Sequence, residues 1–453
     1  MVTALLAALT IAAGGGGGLP VRPPATVGMS AARLRVIDRV VLRGIRAGGF
    51  PGGSVVVGRK GFAVWEKGFG HIDWKTSSAR VSATQTIYDL ASLTKVVGTT
   101  TAIMVLYDQG RIKLDDPVSK YLPEFSGGGK DSVTIRMLLE HTSGLPADRD
   151  LWREASSPAD ARQLVLSTPL VCKPGSCYIY SDLGFDVLGF LVERVAGEGL
   201  DTFLHTWVFA PLGMTNTFFR PPDSVRARTA PTEVNPPRGY PLQGEVHDEN
   251  AYARGGVAGH AGLFSTAADL SVFAQMILNG GEYDGVRVVA DSTVTLFTRR
   301  AAGDRALGWA MADGQWGSGR FLSDDSFGHV GYTGTSMWID PDREMFVILL
   351  TNRVHAPRAR RPAKVIADVR ADLSDAAAIA VTDDPDQLIA MPVAFRADPA
   401  RGWNRPERHH VRHRRSRARV VSSRARAHHA VKHAVKHAVK PAEPKAKKKH
   451  LKR

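Results

Sequence analysis

Two strand-forming stretches stand at opposite ends of a long helical region, and that order constrains the fold of this chain more than any other feature. Ser54-Val55-Val56-Val57 and Ala63-Val64-Trp65 read as strands joined by a tight turn at Gly58–Gly61. Ser336-Met337-Trp338-Ile339 and Met345 to Leu350 flank Asp340-Pro341-Asp342-Arg343, a hairpin pattern within 334–350. Each pair has a helix beside it. Ser30 is a candidate N-cap for an amphipathic helix carrying Leu34, Ile37, Val40, Val41 and Ile45, and 363–373 forms a last helix. Between the strand pairs lie a helix-compatible run from Val96 to Tyr107, then helical patterns broken by Pro- and Gly-rich loops over about 117–250, then a helix at 269–278. Asp182 to Ala196 is the clearest of these, with Leu183, Val187, Leu188, Leu191, Val192 and Val195 on one face. The order predicts an α+β body over 28–375: an antiparallel β-sheet flanked by helices, with an inserted all-helical domain at 117–250.

Charge separates that body from its C-terminal end. The chain has 59 Lys+Arg and 44 Asp+Glu, a formal net charge of +15. Residues 401–453 hold 19 of the basic groups and only 2 acidic ones, so the rest of the chain is close to neutral. This segment repeats His-Ala-Val-Lys from His429 to Lys440 and has one aromatic, Trp403. Too apolar-poor to build a core, it reads as a disordered basic tail that binds an anionic polymer, in the cell envelope or as nucleic acid. Residues 376–400 read as a loose connector.

At the other end, 1–27 read as a signal segment and linker. The apolar run Val2 to Ala13 is too short to span a bilayer and lacks a preceding Lys or Arg, so it is an atypical leader; export is the expectation. The two cysteines, Cys172 and Cys177, either close a short disulfide or remain free thiols, according to compartment.

The chemistry is concentrated in Ser92-Leu93-Thr94-Lys95. Spacing of i and i+3 on a helix sets the hydroxyl and the amine on one face. Serine needs a neighbouring base to act as a nucleophile. A buried amine either loses its proton and serves as that base, or stays charged and holds a phenolate in place. Two further elements follow in order: Tyr180-Ser181-Asp182, and His329-Val330-Gly331 followed by Tyr332.

This trio resembles the penicillin-recognising serine hydrolases, which include class C β-lactamases, serine D-Ala-D-Ala carboxypeptidases and family VIII-type esterases. Leu138 to Pro146, with its His141-Thr142-Ser143-Gly144, and Gly259 to Leu270 are further similarities. The resemblance covers roughly 28–372. It implies Ser92 as nucleophile, Lys95 as the group that sets local charge, and Tyr180 as the proton shuttle. It also implies Asp182, His329, Gly331 and Tyr332 around the substrate, with the Ser92 and Tyr332 amides as an oxyanion hole. No cofactor or metal is expected. Asp182 replaces the asparagine, and Val330 the threonine, of the β-lactam- and D-Ala-D-Ala-cleaving members. A carboxylate can only accept where an amide donates. The reading is therefore an acyl-enzyme hydrolase of a small ester, amide or peptide, esterase-like. The alternatives are a D-Ala-D-Ala carboxypeptidase or β-lactamase, and a non-catalytic ligand- or polyanion-binding protein.

Overall fold

The computed structural model describes residues 17–405 except 302, 315–316, 356–361, 363 and 384–387. The first sixteen residues of the leader and the tail beyond 405 lie outside the described residues.

The strands at the two ends of the chain meet in one sheet. Its members are β1 (Gly52–Arg59), β2 (Phe62–Gly70), β3 (Ala310–Met311), β4 (Phe327–Val330), β5 (Ser336–Asp340) and β6 (Met345–Thr351). Their spatial order is β2-β1-β6-β5-β4-β3, and every described pairing is antiparallel. β1 pairs with β6 from Gly53 opposite Thr351 to Arg59 opposite Met345, so the chain closes on itself here. The β1–β2 turn uses left-handed backbone at Lys60 and Gly61, the geometry of a two-residue hairpin.

β1 and β6 are apolar on both faces because both faces are covered. Val55, Val57, Val347 and Leu349 face a cluster with Ile37 and Val41 of α1 (Val36–Arg46) and with Val369 and Leu373 of α5 (Val365–Ala380). Val56, Ile348 and Leu350 point the other way. They join a larger core with Ile103 of α2 (Thr101–Asp108), Leu188 of α3 (Asp182–Ala196) and Phe273 of α4 (Ala267–Leu278). The same cluster takes in Leu138 and Phe203, so the inserted region shares its core with the sheet.

Three expectations change. The insertion is not all helical: Phe218–Phe219 forms a strand beside Leu263–Ser265, which also pairs with Tyr88–Asp89. That small sheet ties the insertion to the segment leading into Ser92. Residues 376–400 are not a loose connector. α5 continues through Ala380, and Phe395, Ala397 and Trp403 are buried against it, with Trp403 Nε1 donating to Asp368 Oδ2 at 2.8 Å. Nor is 19–27 a free linker, since Leu19 and Val27 are buried and Val21 bridges to Ala63. Single apolar residues in Pro-, Ala- or Arg-rich surroundings carry no periodicity, so only tertiary packing identifies them.

Candidate active site

Ser92 is not on an α-helix. It lies in a 3₁₀ turn, Ala91–Leu93, followed by a π-helical segment, Lys95–Thr100, before α2 begins. Crowding explains the departure: Val96, Val97, Thr99, Thr100 and Thr101 are β-branched, and Thr101 Oγ1 donates to the Val96 carbonyl at 2.9 Å. In a 3₁₀ turn i and i+3 are eclipsed, so the predicted juxtaposition survives in different backbone. Ala91, just before the serine, holds a left-handed φ of 47°, braced by its N–H on Asp89 Oδ1 at 2.8 Å. Strain of this kind persists where surrounding contacts over-determine it.

Lys95 is fully buried, and its ammonium has three hydrogens to place. Nζ donates to Ser92 Oγ at 3.0 Å and to the His260 carbonyl at 3.2 Å, and it pairs with Asp182 Oδ1 at 2.8 Å. It also lies 4.9 Å from the centre of the Tyr180 ring, and the Tyr180 hydroxyl is a hydrogen-bonding partner. Burial alone would lower the pKa of this amine, but the negative charge of Asp182 and the contacts with Tyr180 outweigh it and hold the pKa above the ordinary lysine value. The ion pair with Asp182 favours the cation of the two roles the sequence left open. Asp182 gives Oδ1 to this pair, and its side chain is still 21% exposed.

The segment carrying Tyr180 is gripped by the 141–147 loop. Ile179 N–H donates to the His141 carbonyl at 2.9 Å, Ser181 N–H to His141 Nδ1 at 3.0 Å, and Asp182 N–H to the Ala147 carbonyl at 2.8 Å. Ser181 caps α3 by accepting from Gly184 N–H at 3.0 Å and donates its hydroxyl to the Pro146 carbonyl at 2.7 Å. The His-Thr-Ser-Gly stretch is thus a mould for Tyr-Ser-Asp. Gly144, at φ 83°, is required because a Cβ there would strike the Cys172 carbonyl. Cys172 and Cys177 form a disulfide immediately before Tyr178.

Two imidazoles flank the tyrosine ring, with ring centres at 4.6 Å for His141 and 6.0 Å for His329. Burial, with the nearby charges of Arg305 and Lys95, pushes both well below the ordinary histidine pKa, so both are neutral near pH 7. Nδ1 of His329 contacts the Val330 carbonyl at 2.9 Å, so it carries the hydrogen.

The third wall is the turn after β4. Thr333 and Thr335 donate their hydroxyls to the Asp89 and Leu90 carbonyls at 2.7 and 2.9 Å. A Cβ on Gly331 would collide with the Leu90 carbonyl. The Gly331–Tyr332 peptide is thereby held beside the turn bearing Ser92. From behind, Arg370 donates to the Gly331 and Thr335 carbonyls, both at 2.7 Å, and Arg353 Nε to the Tyr332 carbonyl at 2.9 Å. The Tyr332 ring is 42% exposed and stacks on His247 at 5.8 Å.

The structure therefore gathers Ser92, Lys95, Tyr180 and Asp182, sets His329 against the tyrosine, and places Gly331 and Tyr332 on the adjoining wall. Sequence reasoning missed Arg305, whose guanidinium lies 5.6 Å from the Tyr178 and Tyr180 ring centres, and Arg370. Neither is marked in the sequence: Arg305 follows Asp304 and Arg370 lies between Asp368 and Asp372, so each reads locally as one more surface charge, and only tertiary packing shows it buried.

Comparison with known proteins shows the family and the fold. The family model described as Beta-lactamase matches residues 37–371. A Salmonella agona protein named "Putative D-alanyl-D-alanine carboxypeptidase" is 36% identical over 373 residues, covering 74% of this chain and 86% of that protein. Among solved structures, a penicillin-binding protein homolog from Caulobacter crescentus superposes with a TM-score of 0.60 at 22% identity, over 77% of this chain and 98% of its own. EstCE1, described as a hydrolase with promiscuous acyltransferase activity, gives a TM-score of 0.60 at 24% identity, over 75% of this chain and 98% of its own.

Proposed function

Since the chain belongs to the β-lactamase family of serine hydrolases, we propose that it cleaves a carboxylic ester or amide through an acyl-enzyme on Ser92. The observation that carries this reading is the Lys95 ammonium bonded at once to Ser92 Oγ and Asp182. A lysine that donates to the serine oxygen cannot also take its proton. That role falls to Tyr180, whose hydroxyl shares the ammonium. Ser92 Oγ bonds the acyl carbon while its proton passes to Tyr180 and on to the departing alcohol or amine. Water then adds to the acyl carbon, its proton taken by Tyr180, and Ser92 leaves as the alcohol. The Ser92 and Tyr332 amides serve as the oxyanion hole, each such donor contributing ~3 kcal/mol to the transition state.

Asp182 and Val330 favour small esters over β-lactams, because neither supplies the donor that an acyl-amide carbonyl or a terminal carboxylate would use. The second reading, cleavage of a peptide ending in D-Ala-D-Ala, is favoured by the name of the Salmonella relative. Export is part of the proposal; the Cys172–Cys177 disulfide supports an oxidising compartment. The basic tail is proposed to hold the enzyme to an anionic polymer there, on charge alone.

The test is hydrolysis of p-nitrophenyl butyrate, a D-Ala-D-Ala peptide and a chromogenic cephalosporin by the wild type and Ser92→Ala. Ester turnover lost in the variant supports the reading. Turnover of the peptide alone selects the second, and none from the folded wild type rejects both.

A further inference from the structure

His260 takes part in none of the steps above, yet its carbonyl accepts from the Lys95 ammonium at 3.2 Å, beside Ser92, Asp182 and Tyr180. Its ring is buried between two carboxylates: Nδ1 meets Asp186 Oδ1 at 2.8 Å, and Nε2 meets Asp248 Oδ1 at 3.0 Å. Asp186 lies on α3, one turn beyond Asp182. Asp248 caps the short helix Glu249–Ala253, accepting from Asn250 and Ala251 N–H at 2.9 Å. The neighbouring peptide is fixed equally well. Gly259 N–H donates to Asp186 Oδ1 at 3.1 Å, and Thr99 Oγ1 donates to the Gly259 carbonyl at 2.6 Å. A Cβ on Gly259 would collide with the Phe185 carbonyl.

We propose that His260 is a positioning residue: Asp186 and Asp248 hold its ring from both sides, so that its main-chain carbonyl fixes the Lys95 ammonium against Ser92 and Asp182. The role rests on the reading of Ser92 as nucleophile.

Two carboxylates on one ring require both ring nitrogens to donate, and only the imidazolium does so. Burial opposes that charge, but Asp186 and Asp248 outweigh it and raise the pKa well above the ordinary histidine value. Titratable groups also facing this network are Lys95 on the His260 carbonyl, Arg254 facing Asp186, and His247 and Asp89 facing Asp248. Loss of the ring proton at alkaline pH leaves one N–H for two carboxylates, and the 259–260 peptide is released from one side.

The test uses the full chain, His260→Gln and Asp248→Asn, with p-nitrophenyl butyrate turnover from pH 6 to 9.5, circular-dichroism melts and NMR of the histidine rings. Asparagine keeps the helix cap. In His260→Gln, kcat falls about 10–100-fold with KM nearly constant, the size of loss that misplacing a reacting group by about 1 Å produces. In Asp248→Asn, neutral-pH kcat falls less, and both the His260 titration and the alkaline limb of kcat move to lower pH by about one unit. A purely structural role would lower the yield of folded enzyme without moving that limb. If His260→Gln does not fold, Asp248→Asn decides. Ser92-dependent turnover with an unmoved limb in Asp248→Asn, or wild-type kcat in folded His260→Gln, overturns the positioning role alone. A wild type without turnover overturns the reading of Ser92 and this role with it.

Discussion

The pocket that holds Lys95 and the turn that carries Tyr332 are built in opposite ways. Around Lys95 the support converges from several sides: the amine is fully buried, and its acceptors come from three separated segments, at Ser92, Asp182 and His260. Around Tyr332 the main chain is supported from behind by Arg353 and Arg370 and from the Ser92 side by Thr333 and Thr335, while the residue is 42% exposed. In the first region, loss of Lys95 or Asp182 leaves the other charge unpaired. The second can change side chains and keep its backbone. On the proposed function, the reaction belongs to the first region and the choice of substrate to the second.

The comparison breaks most sharply at Lys95. Lys95→Met leaves Asp182 without its cation and Tyr180 without its charged partner, and kcat on p-nitrophenyl butyrate is expected to fall at least ~10³-fold, with a lowered melting temperature. A loss under about tenfold would place the essential charge elsewhere. Arg370→Met comes next. It strips the donors from two buried carbonyls while leaving Ser92, Lys95 and Tyr180 intact. Steady-state kinetics should show kcat down ~10–100-fold, and melts a destabilisation of about 1–3 kcal/mol for the unsatisfied carbonyls.

Reducing Cys172–Cys177 probes the mould around Tyr180. A loop this short constrains the unfolded chain by about 2 kcal/mol, so dithiothreitol should lower the melting temperature and affect ester turnover only modestly. The smallest effect is expected from Val330→Thr on the outer wall: cephalosporin or D-Ala-D-Ala turnover rises a few-fold, with ester turnover unaltered. No rise would mean that recognition is not limited by that missing hydroxyl.

Acidity sharpens the contrast differently. His141 and His329 are neutral when folded, with pKa values well below the unfolded 6.5, so the unfolded chain binds protons first as pH falls. Their contribution to stability is complete above pH 6.5 and is lost as pH falls toward their folded values. Melts between pH 7 and 5 should show this decline, with a shallower slope in His329→Gln. An identical slope would assign the acid sensitivity to other groups.

Much of this was legible in the sequence. α3 begins at Asp182 and ends at Ala196, as its apolar stripe indicates, and the 334–350 hairpin forms as β5 and β6. Ser92, Lys95 and Tyr180 were legible because each is a reactive residue in a short pattern. What the sequence concealed depends on long-range contact. The 3₁₀ and π turns at Ser92 arise from crowding that propensity does not resolve, and the Lys95–Asp182 pair joins segments on either side of the first half of the inserted region. Arg370 and His260 act through backbone carbonyls, which leave no trace in residue types.

The measurement that tests the central claim most directly is mass spectrometry of the enzyme quenched during turnover of an activated ester, with the acyl group mapped by tryptic digestion. The account predicts a transient acyl adduct on the peptide spanning 81–95, located at Ser92 and absent from Ser92→Ala. Turnover with no adduct there, or an adduct and activity that persist in Ser92→Ala, would contradict it.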